Sequence, residues 1–188
     1  MHTGLHHIAR MRCKLSRWNL QGLPGPTTSR FLKALKVVKK HLPPKVSSAV
    51  LRCAWNGWCT ERRFQGSGRC LFNCGAFWQA DSLEHYASCS VCVRFLRQHL
   101  HYTKPVNRGH LITLGANTCS QSEEDTIRLA LWVFALYKSF NHLRHRKGPT
   151  LSADELDSLM LTFLQDGVTG KDASAQFLSN CWHPGASL

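Results

Sequence analysis

The chain has 188 residues, a formal net charge of +13, a sequence pI near 9.7 and 43% hydrophobic residues. That length suits one ordinary domain or two small ones, and that hydrophobic content excludes wholesale disorder. The longest apolar run, Leu129 to Tyr137, is far short of the ~20 residues of a membrane span, so a soluble protein is expected.

The charge is unevenly placed. Residues 1–60 hold eleven Lys and Arg and no acid, residues 61–148 carry a net +6, and residues 149–188 carry a net −4. A basic front and middle suit a polyanionic partner, most often nucleic acid, against the blander alternative of a solvated basic surface. The nine cysteines are odd in number and follow no apolar leader, which favours a reducing compartment and metal ligation over disulfides. The expected location is nuclear or cytoplasmic. Met1 to Trp18 also has the acid-free, Arg-containing composition of a mitochondrial transit peptide, but its three His and the absence of acids through Thr60 favour a basic arm.

In chain order, residues 1–27 read as a flexible basic arm closed by the turn cluster Gly22-Leu-Pro24-Gly25-Pro26. A helix starts at Thr28 or Ser29, carries Phe31, Leu35, Val38 and Leu42 on one face, and stops at Pro43-Pro44. A second helix is expected from Val46 to Trp58, with Val46, Val50, Cys53 or Ala54, and Trp58 buried, and Gly57 weakening its end. Trp55 and Trp58, three apart, read as core. Asp81 is the expected N-cap of a third helix, with Glu84 as its capping-box partner. Ser90 marks a break before a helix over Val91–Leu100. Residues 101–119 are loop-rich, with His110–Leu114 a short strand or part of a helix.

The clearest long helix begins near Ser120, with Glu123 as box partner. It carries Ile127, Leu131, Phe134, Tyr137 or Lys138, and Leu143, and ends in the basic run His142, Arg144, His145, Arg146, Lys147 before Gly148-Pro149. A last helix starts at Ser152 with Glu155, buries Leu156, Leu159, Met160 and Phe163, and closes at Gly167. The expected fold is mainly α, a small zinc-stapled module followed by helices, with flexible termini. Its expected organisation is a 1–27 arm, a 28–105 helical region with the zinc module, a 106–167 helical region and a 168–188 tail.

The sharpest local signal is Cys70, Cys74, His85 and Cys89, spaced C-x3-C-x10-H-x3-C. Thiolates and one imidazole at such spacing close a tetrahedron around Zn2+. Cys70 and Cys74 flank a bend that Gly75 lets turn sharply, and His85 and Cys89 are expected on one face of the third helix. Cys92 competes for the fourth position. The alternative is a set of buried cysteines acting as small hydrophobes, with a half-exposed His85. The other cysteines (Cys13, Cys53, Cys59, Cys119 and Cys181) read as ordinary packing or surface residues.

The run Val50-Leu-Arg-Cys-Ala-Trp-Asn-Gly-Trp-Cys-Thr-Glu-Arg-Arg-Phe-Gln65, then Cys70-Leu-Phe-Asn-Cys74, then Asp81-Ser-Leu-Glu-His85-Tyr-Ala-Ser-Cys89 resembles the zinc-binding region that follows the reverse transcriptase domain in non-LTR (LINE-like) retrotransposons. The resemblance spans residues 45–100 and implies Cys70, Cys74, His85 and Cys89 as ligands. It also implies a role in holding template RNA or target DNA. The paired aspartates of a polymerase palm are missing: the Asp residues are Asp81, Asp125, Asp154, Asp157, Asp166 and Asp172, with no two adjacent. The chain would be a fragment or derivative without the polymerase, and not an enzyme.

Around the cluster, Arg52, Arg62, Arg63, Arg69, Arg94 and Arg97 alternate with aromatics, of which Phe77 and Trp78 are the better base-stacking candidates. The expected function is zinc-dependent RNA or DNA binding. The alternative is a helical protein-interaction module with a purely structural zinc.

Overall fold

The computed structural model describes residues 3–20, 24–66, 68–75, 80–118 and 121–169. Among these residues the fold is mainly helical. The elements are α1 (Thr3–Ser16), α2 (Pro24–His41), α3 (Pro44–Ala54), a 3-10 turn (Arg62–Phe64), α4 (Leu83–Tyr86), α5 (Ser90–Leu100), α6 (Arg108–Thr113), α7 (Glu123–His145) and α8 (Ala153–Val168). No described helix is long and apolar enough to cross a membrane.

The expected faces of α2 and α3 are present, and that of α8 in part. Phe31, Leu35, Val38 and Leu42 of the α2 stripe are all buried, as are Val46, Val50, Cys53 and Ala54 of α3. α8 has the Ser152–Glu155 capping box, and Leu156, Met160 and Leu164 are its buried apolar residues. Leu159 and Phe163 are only half-buried, and Phe163 instead packs its ring near His142 and Lys138. Gly167 is the penultimate residue of α8, at the end the sequence assigns it. A Cβ there would meet Phe134 Cδ1 at 2.8 Å, so the glycine lets α8 close on α7.

α7 is the axis of the fold. Ile127 and Leu129 to Leu136 are buried without interruption, and Phe140 is buried one turn on. A helix apolar all round cannot stand at a surface, and α2, α3, α5, α6 and α8 pack around it. Trp132, fully buried, donates its indole N–H to the Cys92 carbonyl at 2.8 Å and locks α5 to α7. The N-cap of α7 is Ser122, whose hydroxyl accepts from the Asp125 N–H; Ser120, the expected start, lies outside the described residues.

Several boundaries differ from expectation. The arm expected at residues 1–27 contains α1, anchored through buried Met11, Leu15 and Trp18. Pro24, Gly25 and Pro26, expected as a linker, form the first turn of α2, where proline costs no hydrogen bond; Gln21 to Leu23 lie outside the described residues. α3 stops at Ala54 instead of Trp58, because Asn56 turns left-handed (φ 53°) and the Gly57 N–H folds back to the Arg52 carbonyl at 2.6 Å. The tail from residue 170 lies outside the described residues.

The stretch left open between strand and helix is α6, held by a reciprocal cap. The Asn107 side chain accepts from the Gly109 N–H, and His110 Nδ1 accepts from the Asn107 N–H. His110 is buried, and burial together with Lys104 pushes its pKa below the ordinary 6.5. A base depressed in the fold contributes stability that is present above 6.5 and is lost as pH falls through the folded value. We expect the urea midpoint of His110→Gln to fall less than wild type between pH 7.5 and 5.5; parallel curves would rule the residue out as the source.

Candidate metal centre

The ligand atoms of Cys70, Cys74, His85 and Cys89 all lie within 4.8 Å of one another. Cys70 Sγ stands 3.9 Å from Cys89 Sγ, and Cys74 Sγ stands 3.4 Å from His85 Nε2. His85 and Cys89 are buried, while Cys70 and Cys74 are half-buried. Among the described residues the four cysteine and histidine positions chosen from spacing are the ones brought together, and their thiols are free. They could hold one metal ion.

The first pair is set by a tight bend. Asn73 is left-handed (φ 47°), its N–H bonds the Cys70 carbonyl at 3.1 Å, and Gly75 follows at φ 74°. Asparagine and glycine tolerate this region best. Phe72, between the two cysteines, is fully buried and meets the Tyr86 ring edge-on at 5.0 Å. Each end of the bend is thus fixed, one by the turn and one by the core.

The second pair is not the helical i, i+4 pair expected. α4 is a single turn ending at Tyr86, and Cys89 is the residue that precedes α5, with φ −58° and ψ 125°. The break re-aims Cys89 toward Cys70. The expected N-cap also moves: Ser82, not Asp81, caps α4, with its hydroxyl accepting from the His85 N–H at 3.0 Å. That bond fixes the backbone of His85, the candidate imidazole ligand. His85 Nδ1 has no hydrogen-bond partner among the described residues, so Nε2 is the nitrogen aimed into the cluster.

Asp81 has a larger role than a cap. Its Oδ2 accepts from the Glu61 N–H at 2.9 Å and its Oδ1 from the Tyr86 hydroxyl. Its own N–H donates to Gly68 at 2.8 Å and its carbonyl accepts from Arg62 at 3.2 Å. With the single bridge between Arg69 and Ala80, these bonds draw the two ends of the cysteine segment together. Burial raises the Asp81 pKa against the pull of its two donors.

A hydrogen bond from Cys70 pulls Cys89 strongly toward the thiolate, and the same bond holds the proton on Cys70. Cys92, the competing fourth ligand, falls outside the cluster. It is fully buried, its pKa is raised by that burial, and its thiol donates to Cys89.

Of the eight positions chosen for nucleic acid, Phe77 and Trp78 lie outside the described residues. Arg52, Arg62, Arg63, Arg69, Arg94 and Arg97 are all exposed. Arg62 and Arg63 sit on the 3-10 turn beside exposed Phe64, with the Arg63 guanidinium 5.7 Å from the Phe64 ring. Arg52 lies 6.0 Å from the Tyr137 ring. Trp58 is core, its ring centroid 5.2 Å from that of Phe140 in a tilted arrangement, whereas Trp55, expected beside it, is 47% exposed. The sequence signal for that difference is the Asn56-Gly57 stop between them.

No family model, curated protein or solved structure matches the chain.

Proposed function

We propose that the protein is a zinc-stapled nucleic-acid-binding protein rather than a catalyst, descended from the zinc region of a retroelement polyprotein. The four-ligand cluster carries the reading. For Zn–S near 2.3 Å and Zn–N near 2.0–2.1 Å, a tetrahedron has S···S edges of about 3.8 Å and S···N edges of about 3.5 Å. The observed separations of 3.9 and 3.4 Å support that fit. Three thiolates and one imidazole with no open position are a structural set; such a zinc fixes chain geometry and supplies no Lewis-acid site.

The surroundings support binding. Six arginines flank the cluster in sequence and all are exposed. Two buried carboxylates are already engaged, Asp81 by Tyr86 and Glu61, and Asp125 by Lys104 and Arg128, which supports a non-catalytic reading.

The test is anisotropy of labelled RNA and DNA with the full metal-loaded chain over a salt series. Log K is expected to fall by about 0.7–0.9 per phosphate contact against log salt. Absence of binding at low salt would reject the reading in favour of a helical module for acidic protein partners.

A further inference from the structure

We infer that the groove floored by Trp55, between α1, the end of α3 and the metal-stapled segment, is a seat for single-stranded nucleic acid. The inference rests on the nucleic-acid reading above and deepens it by naming a site and a strand state.

The groove joins two clefts. One, of about 360 Å³, is walled by Lys14 and Arg17 of α1, by Arg63 of the 3-10 turn, and by Glu84 beside the ligand His85. The other, of about 420 Å³, is floored by Ile8, Met11 and Leu32 and edged by Arg10. Trp55 and Lys14 belong to both, so the clefts run into each other as an open trough. Around it stand four cations and one carboxylate. Among the described residues Lys14 and Arg17 form no ion pair.

Trp55 and Ile8 are two of the three large apolar side chains left exposed among the described residues. An exposed indole ringed by cations is the composition of a stacking platform, on which a base lies flat while its phosphates meet Lys and Arg. Bases offer that face only when unstacked, which selects a single strand over a duplex. The α3 end would oppose an anion through its carbonyls, but the Ala54 carbonyl already accepts the Trp18 indole N–H at 2.8 Å. A second copy of the chain is disfavoured as occupant, since each copy carries +13.

The test titrates full-length, metal-loaded protein against a fluorescein-labelled oligothymidylate of about ten nucleotides, a length within the usual site size. We expect Trp55→Ala to weaken binding about tenfold with metal content unchanged, and Trp55→Phe to keep affinity within about threefold. Lys14→Ala with Arg17→Ala should lower the salt slope by about 1.4, two contacts at about 0.7 each. Wild-type binding that survives Trp55→Ala intact overturns this groove and leaves nucleic-acid binding standing elsewhere. Equal competition by poly-glutamate against wild type and Trp55→Ala overturns it in favour of an acidic-peptide surface. Failure of the wild type to bind this oligonucleotide overturns the groove, and its failure to bind the RNA and DNA of the salt series as well overturns both readings.

Discussion

Cys74→Ser should strip the metal from the protein and melt the segment from Thr60 to Cys89. Structural zinc contributes about 10–16 kcal/mol to the folding of zinc-finger peptides at pH 7, against about 5–15 kcal/mol for the net stability of a whole domain. For a chain of this size about 1 kcal/mol moves the melting temperature by ~2–4 °C. Losing even a third of the metal's contribution therefore lowers it by roughly 10 °C. Native mass spectrometry should show one ion per wild-type chain and none in the variant, with chelator reproducing the melt. Cys92→Ala is the contrasting variant: its thiol lies outside the four-ligand cluster, so the ion should stay. Metal retained by Cys74→Ser and lost from Cys92→Ala would reverse the ligand assignment. Acid should mimic the chelator, because the thiolates and imidazole bind metal only when deprotonated, so the metal's contribution is lost as pH falls.

Asp81→Ala should be the most damaging change outside the ligands, at about 3 kcal/mol. It leaves the buried Tyr86 hydroxyl and the Glu61 N–H without their acceptor, and each lost bond to a charged group costs about 1.5–3 kcal/mol. The pH dependence runs opposite to that of the metal. The folded pKa of Asp81 is raised by burial, so its contribution is fully present below the unfolded value and declines as pH rises through the folded one. The gap between wild type and Asp81→Ala should widen on acidification, and metal loss, common to both proteins, cancels from that difference. A gap that narrows from pH 7 to pH 5 in chemical denaturation would contradict the burial argument.

What the sequence made legible follows the range of the interaction. The four ligands could be read because their spacing is local and their chemistry allows few alternatives. The faces of α2 and α3, and Leu156 and Met160 of α8, could be read because a 3.6-residue period needs no knowledge of the partner. The split of His85 and Cys89 between two helices could not. The i, i+4 spacing is satisfied both by one helix and by a turn that caps the next, and only the aromatic floor beneath Tyr86 decides. Asp81 looked like a cap because Asp before Ser-Leu-Glu fits the local rule, yet its partners Glu61 and Gly68 lie 20 and 13 residues away. Trp55 departs from its expected core position for a related reason. A helix carried through to Trp58 would put both indoles on one face, and the left-handed Asn56 rotates them apart. α1 has a stripe of its own, Met11, Leu15 and Trp18 at i, i+4 and i+7, but it lies in an acid-free basic segment whose composition suits a solvated arm equally well, and its order comes from those three residues meeting the rest of the core.

The burial of α7 on every side has a consequence for synthesis. The floor of the metal segment is Trp58 and Tyr86 against Phe140, with ring centroids 5.2 and 6.0 Å away. All four ligands leave the ribosome about fifty residues before Phe140 does. At about 5–20 residues per second that is a delay of roughly 3–10 s. During this interval Trp58 and Tyr86 lack the Phe140 ring that backs them, and a captured metal ion would add to the Asp81 bonds in holding the ligands in register. Cells starved of the ion would then yield chains whose longest helix arrives to find its neighbour unformed, so metal supply during translation, more than stability afterwards, would set how much protein matures.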